Sequence, residues 1–348
     1  MDSSVKTIIV LIFVALVFLL LNIMEPILLP LILAFFAAAF FQPLIVFLRK
    51  HKIPTWIIIP FILLISLVFL FAIFLIIQST FSDIVNESDY LSKQITLRIN
   101  EVFKWINDTF GSRLSFTKIY KQLIAQADTL WISQRASDFL SAITGFTSSL
   151  IMFLLYYVVL LAGMANYKNF FAYVENYSPD TKITTSYEKI QKTINRYIGL
   201  KTLINLFTGL VVYVVCLIFG VKFALFWGFI TFIVSYIPNI GAILATIFPT
   251  LMAFININSI GTILLMTSIL TVVHFIVGSI IEPIVMGSNM SINTLTVIFG
   301  LVFWGFIWGI PGMMLSVPLL VVIKLTFEQF PSLSLFARIM GIPEKSVV

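Results

Sequence analysis

Residues 223–256 read FALFWGFITFIVSYIPNIGAILATIFPTLMAFIN, an apolar run of 34 residues without a charged side chain. About 20 apolar residues are enough to cross a bilayer as a helix, so this run is too long for one straight span. The motif Pro238-Asn239-Ile240-Gly241 interrupts it. Irregular backbone at membrane depth is tolerated only where protein buries it or water reaches it. The run therefore predicts a broken segment that either crosses the membrane once or returns as a re-entrant hairpin.

A second broken run follows at 294–324, and its hinge candidates are Gly305, Gly309, Pro311, Gly312 and Pro318. The pentapeptide Phe-Trp-Gly-Phe-Ile precedes both interruptions, at 226–230 and at 303–307. The match either records an internal duplication or arises by chance in a chain rich in Phe, Ile and Gly. Paired interruptions of this kind indicate the substrate site of a transporter, and helix kinks that serve only packing are the alternative.

The composition places the whole chain in lipid. Its 348 residues are 60% hydrophobic and 10% charged, whereas soluble domains are about 45–50% apolar and 25% charged. The mean hydropathy is +1.09. We therefore predict an all-α, polytopic membrane protein with about eight membrane segments, two of them broken or re-entrant, and the lipid bilayer as its first partner.

Several function classes are disfavoured. The net charge of +6 lies in short loops between apolar runs, which is typical of membrane topology and not of nucleic-acid binding. One cysteine, Cys216, and two histidines leave no basis for a disulfide framework or a metal cluster. The sequence contains no Walker loop and no HExxH or GxSxG motif. We expect no ATPase, no enzyme, no metal and no cofactor.

The basic tetrad Arg49-Lys50-His51-Lys52 predicts that the turn after the second span is cytoplasmic, and that both termini are cytoplasmic too. The predicted organisation is a three-span unit (1–78), a polar helical extracytoplasmic insert (79–142), a fourth span (143–165), a cytoplasmic interfacial segment (166–200), a transport core (201–325) and a cytoplasmic tail (326–348). The charge rule places the C-terminus inside whether the two broken runs cross or re-enter.

Polar side chains within the apolar core are the candidates for a substrate or ion pathway. An ionisable group at membrane depth costs about 2.5–3.5 kcal/mol on insertion scales, so Glu282 is the first candidate. The others are Pro283, Pro238, Asn239, Gly241, Asn205, Thr208 and His274. Interfacial capping for Glu282 and packing for His274 are the simpler alternatives. We expect the two breaks and Glu282 to meet at one site.

The C-terminal half resembles the autoinducer-2 exporter (AI-2E) family. The similarity is carried by the segment 196–209, by Phe226-Trp-Gly followed by 237–241, and by Ile281-Glu282-Pro283 with the glycines and prolines of 286–318. In place of the family's usual Leu-His-Pro-like stretch, this chain has Ile292-Asn293-Thr294, which puts a shared specificity in doubt. The segments 196–325 carry the specific motifs, and the layout of the whole chain is similar.

The resemblance implies secondary transport in a bacterial cytoplasmic (inner) membrane and assembly into a homo-oligomer, namely a pentamer. It implies either export of a small polar solute such as the quorum-sensing signal autoinducer-2, or Na⁺/H⁺ antiport, in which Glu282 would exchange the ion. The alternative from another class is a membrane scaffold or assembly protein that transports nothing.

Overall fold

A computed structural model describes residues 3–110, 134–135, 137–138, 141, 149–163, 183–286 and 292–341. In these ranges the chain is α-helical, with one isolated β-bridge between Ile292 and Gly341. Five helical segments are long and apolar enough to cross a membrane: 25–50, 55–86, 188–218, 260–286 and 294–327. The prediction of an all-α, polytopic membrane protein is therefore confirmed.

The N-terminal part consists of four helices: α1 (Ser3–Ile23), α2 (Glu25–Lys50), α3 (Thr55–Asn86) and α4 (Ser88–Phe110). With 32 residues, α3 is about 48 Å long and exceeds the bilayer core of about 30 Å. Helix α3 continues past residue 78, so the predicted start of the insert lies within it. Helix α4 lies within the predicted insert, and residues 111–133 of the insert lie outside the described residues.

One core cluster joins α2 and α3 to the short apolar helix α5 (Ser149–Gly163) and to α6 (Ile183–Ile218). Small residues of α2 such as Ala34 and Ala38 are fully buried there, and small side chains let helix backbones approach closely in a membrane. A hydrogen bond of 2.9 Å between the Ser66 hydroxyl and the Tyr157 hydroxyl adds a polar link. Helix α6 runs through residues 200 and 201 without a break, so the predicted interfacial segment and the start of the predicted transport core form one helix from residue 183 onward.

The first broken run is a helical hairpin. Helices α7 (Ala224–Val234) and α8 (Ile240–Asn256) are its arms, and residues 235–239 reverse the chain. At its base the Asn256 side-chain amide donates to the Gly220 carbonyl (2.9 Å), so the run returns to the C-terminal end of α6, where it began. We call this unit hairpin 1.

Hairpin 1 packs on α6 through glycines. A Cβ added at Gly209 of α6 would lie 2.6 Å from the carbonyl oxygen of Gly228, which is the glycine of the first Phe-Trp-Gly-Phe-Ile pentapeptide. Within the hairpin, a Cβ at Gly241 would lie 2.1 Å from the Val234 carbonyl oxygen. The absence of side chains at these positions lets the backbones touch.

The second broken run is also a hairpin. Helix α11 (Thr294–Phe327) contains non-helical backbone at Trp308 and Gly309, whose φ is +60°. The chain reverses there, and two close approaches between the arms show it. A Cβ at Gly300 would lie 2.4 Å from the Leu320 side chain, and one at Gly312 would lie 2.0 Å from the Trp304 carbonyl oxygen. Two arms, 294–307 and 310–327, thus lie side by side. We call this unit hairpin 2.

The two hairpins begin at opposite ends of α6. The base of hairpin 2 lies at the N-terminal part of α6, where Lys189 forms an ion pair with Glu328 (3.2 Å). The base of hairpin 1 lies just beyond the C-terminal end of α6, at Gly220. The intervening helix α9 (Ile260–Ile276) continues through a π-helical turn (Val277–Ile281) into the short helix α10 (Glu282–Met286). Helix α12 (Ser334–Met340) follows hairpin 2.

Candidate functional site

A cavity of about 690 Å³ lies at the tip of hairpin 1, within the range of about 300–1,000 Å³ that is typical of ligand pockets. Its walls come from α6, from the turn and second arm of hairpin 1, from α9 with its π turn and α10, and from the start of α11. Six of the predicted pathway residues line it: Asn205, Thr208, Pro238, Asn239, His274 and Glu282. The predicted residues Gly241 and Pro283 are next to lining residues but are not in the wall themselves.

The hinge candidates of hairpin 2, Gly305, Gly309, Pro311, Gly312 and Pro318, do not line this cavity. Around the reversal of hairpin 2, the Trp308 indole N–H instead donates to the Leu21 carbonyl (3.2 Å), and the Asn22 amide donates to the Ile307 carbonyl (3.2 Å). The expectation that both breaks meet Glu282 at one site is therefore wrong for this cavity. The cause is the separate position of each hairpin, because the second tip packs on the end of α1.

The charged pair of the cavity is Lys201 with Glu282. The Lys201 Nζ lies 2.5 Å from Glu282 Oε1; the lysine side chain is 5% exposed and the carboxylate side chain 30%. Lys201 was not among the predicted pathway residues, and no partner was predicted for Glu282. The available signal was the position of Lys201 inside the continuous helix α6, four residues before Asn205. The pairing itself joins positions 81 residues apart, which no local pattern indicates.

The π-helical turn presents Glu282 to the cavity. It spans Val277–Ile281 between His274 and Glu282, and π turns within α-helices occur frequently at functional sites. Gly278 and Ser279 of this turn also line the cavity. The extra residue in the turn changes the helical phase, so His274 and Glu282 both reach the cavity although they are eight positions apart.

Asn205 and Thr208 are buried on α6. The Thr208 hydroxyl donates to the Ile204 carbonyl (2.8 Å). When the Asn205 amide is oriented so that both its oxygen and its nitrogen form hydrogen bonds, the oxygen accepts from the Tyr236 N–H and the nitrogen donates to the Lys201 carbonyl, each at 3.3 Å. The hydroxyls of Thr202 and Tyr236 lie 2.6 Å apart. Asn205 thus helps to hold the tip of hairpin 1 on α6, which is a positioning role.

Asn239 occupies a strained turn at that tip. Its φ of 59° and ψ of −49°, together with a 2.6 Å hydrogen bond from the Ile240 N–H to the Pro238 carbonyl, define a γ-turn of the rare form. Backbone strain of this kind costs about 1–3 kcal/mol and is concentrated at binding and switch sites. The tip lines the cavity, so the strain lies in its wall.

Chemically, the cavity offers hydrogen bonds and one internally compensated charge pair. Among the described residues, the other polar groups that line it are uncharged, for example Asn205, Asn239, Thr246 and Thr271. Among the described residues, no group of three or more His, Cys, Asp or Glu side chains is arranged to hold a metal ion. The arrangement suits recognition of a small polar molecule by hydrogen bonds.

Comparison with known proteins places these features in a family context. The model of the AI-2E family transporter matches residues 8–332. A protein of Haemophilus influenzae, named only as a candidate transport protein, is 29% identical over 315 residues, which cover 90% of this chain and 89% of that one. The candidate transport protein YhhT of Escherichia coli K12 is 26% identical, over 89% of this chain and 87% of its own. The AI-2 transport protein TqsA of the same strain is 38% identical over 137 residues, which cover 39% and 40% of the two chains.

Proposed function

The chain belongs to the AI-2E transporter family, and on that premise we propose that it exports a small, polar, uncharged solute through the cavity at the tip of hairpin 1. The pathway residues of this proposal are Glu282 with Lys201, the tip residues Pro238 and Asn239, and His274. Asn205 positions the tip.

The observation that carries the proposal is the ion pair between Lys201 and Glu282 within the cavity wall (2.5 Å). The two charges cancel, so a charged solute would find no free counter-ion among the described lining residues and would lose its hydration without compensation. An uncharged solute with hydroxyl groups loses less hydration and gains hydrogen bonds from the lining. Autoinducer-2 is a solute of this kind, and the name of the relative TqsA supports it as the cargo.

A cation/proton antiporter is less well supported. Its exchanging carboxylate would be Glu282, and the Lys201 ammonium already occupies one oxygen of that carboxylate. The internal cation competes with Na⁺ or H⁺ for the same group. A scaffold without transport gives no reason for a polar cavity with a compensated charge pair in its wall.

The proposed membrane arrangement rests on the charge rule and on the two hairpins. The tetrad 49–52 favours a cytoplasmic position for the end of α2, and Leu48 of α2 packs in the same cluster as Ile190 of α6. In this proposal the base of hairpin 2 therefore lies at the cytoplasmic side and the base of hairpin 1 at the outer side. We propose that the two hairpins are re-entrant and enter from opposite faces of the bacterial cytoplasmic membrane, with both termini inside. Two oppositely inserted broken segments are the pattern of inverted-repeat transporters. Assembly into a homo-oligomer, a pentamer by family resemblance, belongs to the same proposal.

The test is efflux of labelled dihydroxypentanedione, the open-chain form of autoinducer-2, from proteoliposomes. We expect faster efflux with the protein than with empty liposomes. In parallel, a Na⁺ gradient is imposed on the same proteoliposomes and internal pH is recorded. Efflux equal to that of empty liposomes removes this cargo. Sodium-driven proton movement that disappears in Glu282→Gln supports the antiporter instead.

A further inference from the structure

His274 lies on α9 at the wall of the cavity and is almost fully buried, with 8% of its surface exposed. The sequence alone allowed either a packing role or a place on a pathway. The hydrogen bonds of its ring decide which nitrogen carries the proton, and that decides what the ring offers to a bound molecule.

The Nδ1 atom is the protonated nitrogen. It lies 2.8 Å from the Leu270 carbonyl oxygen, which can only accept a hydrogen bond. It also lies 3.1 Å from the Thr246 hydroxyl oxygen, whose own hydrogen is donated to the Ala242 carbonyl (3.0 Å). Both neighbours of Nδ1 therefore act as acceptors, so Nδ1 must donate.

In the neutral ring, a proton on Nδ1 leaves Nε2 as a bare acceptor. Nε2 is buried and has no hydrogen-bond partner among the described residues. Buried polar atoms in proteins almost always have a partner, so the unpaired Nε2 of a residue that lines the cavity requires an explanation.

We propose that Nε2 of His274 accepts a hydrogen bond from a hydroxyl group of the transported solute, and so makes His274 a specificity-determining residue. The inference rests on the proposed function and deepens it, because it defines the cargo as an uncharged molecule that donates a hydrogen bond. Removal of that hydroxyl leaves Nε2 unpaired. A site that is built to pair a hydroxyl rejects the analogue that lacks it, here by about tenfold to a hundredfold in transport efficiency.

The first experiment measures discrimination between dihydroxypentanedione and its two monodeoxy analogues in proteoliposomes. We expect the wild type to prefer the parent compound over one of the analogues by about tenfold or more. His274→Phe keeps a ring of similar size but has no acceptor, so its preference should fall to about one. His274→Gln offers an amide oxygen and should retain part of the preference.

A wild-type preference that persists in His274→Phe overturns the inference and leaves the proposed function intact. Transport of none of the three compounds by the wild type overturns the proposed function for this solute.

A second experiment decides the role of Nε2 without transport. The chain has two histidines, and His51 is exposed and does not line the cavity. The full-length variant His51→Gln, with ¹⁵N-labelled histidine, gives ring signals from His274 alone. We expect a protonated Nδ1 and an unprotonated Nε2 whose resonance shifts when dihydroxypentanedione is added, but not when the rejected analogue is added. A proton on Nε2, or an Nε2 resonance that does not respond to the parent compound, overturns the inference.

Discussion

The ion pair between Lys201 and Glu282 can be broken by removing either residue, and we expect the loss of Glu282 to destabilise the protein more than the loss of Lys201. The perturbations are Glu282→Gln, Lys201→Met and the double variant. Glu282→Gln leaves an ammonium that is 5% exposed, whereas Lys201→Met leaves a carboxylate that is 30% exposed and partly hydrated.

The magnitudes follow from that difference. Removal of one partner of a buried ion pair costs about 3–5 kcal/mol, and we expect Glu282→Gln to lower the free energy of unfolding by about 3 kcal/mol. Loss of a hydrogen bond to a charged group that water still reaches costs less, so we expect about 1.5 kcal/mol for Lys201→Met. The double variant contains neither charge and should lose at least about 2 kcal/mol less than the sum of the single effects.

The assay is denaturant unfolding of all four proteins in the same mixed micelles, with the free energy of unfolding compared between them. Each variant is checked for the same oligomeric state before the comparison. Equal destabilisation by the two single substitutions, or a double variant that loses the full sum, would refute the account of a buried, mutually compensating pair.

Two further substitutions test the hairpin and the insert. Gly241→Ala places a Cβ 2.1 Å from the Val234 carbonyl oxygen, so it should cost about 1–3 kcal/mol and reduce efflux. The matched control Gly199→Ala, which meets nothing within 4 Å, should leave both unfolding and efflux unchanged or add up to about 1 kcal/mol of stability; similar losses in both variants would contradict this. Arg98 donates to the Asn258 side chain (2.6 Å) beside hairpin 1. Arg98→Ala should therefore lower the free energy of local opening of α4 by up to about 1.5–3 kcal/mol, which speeds the amide hydrogen exchange of this helix. Unchanged exchange in α4 would show that this contact does not hold the insert.

The apolar runs predicted the helical membrane fold because lipid requires each span to satisfy its own backbone hydrogen bonds. The glycines and prolines within the two long apolar runs also predicted where the helices are interrupted. The chain reverses just before Gly241 in hairpin 1, and at Trp308 and Gly309 in hairpin 2. The direction after each break could not be predicted, since a crossing and a return bury the same apolar length and leave the same charges in the loops.

The candidate site was predicted in part. Polar residues in apolar runs are costly, and this cost alone selected Glu282, His274 and Asn205, which all line the cavity. The partner of Glu282 depends on tertiary packing of α6 against α10, and the π turn depends on backbone geometry. Neither leaves a periodic signal in the sequence. The shared pentapeptide left open an internal duplication or a chance match, and its two glycines have different neighbours: Gly228 meets α6, and Gly305 meets Met313 of its own hairpin.

Protection from thiol labelling tests most directly whether the cavity at the tip of hairpin 1 holds the transported solute. The single native cysteine, Cys216, is buried and can be replaced by alanine. A cysteine is then introduced either as Ser279→Cys in the cavity wall or as Ser259→Cys at the start of α9, outside the cavity. With a membrane-permeant maleimide, dihydroxypentanedione should slow labelling of Ser279→Cys in proportion to its occupancy and leave Ser259→Cys unaffected. Equal labelling rates of Ser279→Cys with and without saturating solute, in a preparation that transports it, would contradict the account.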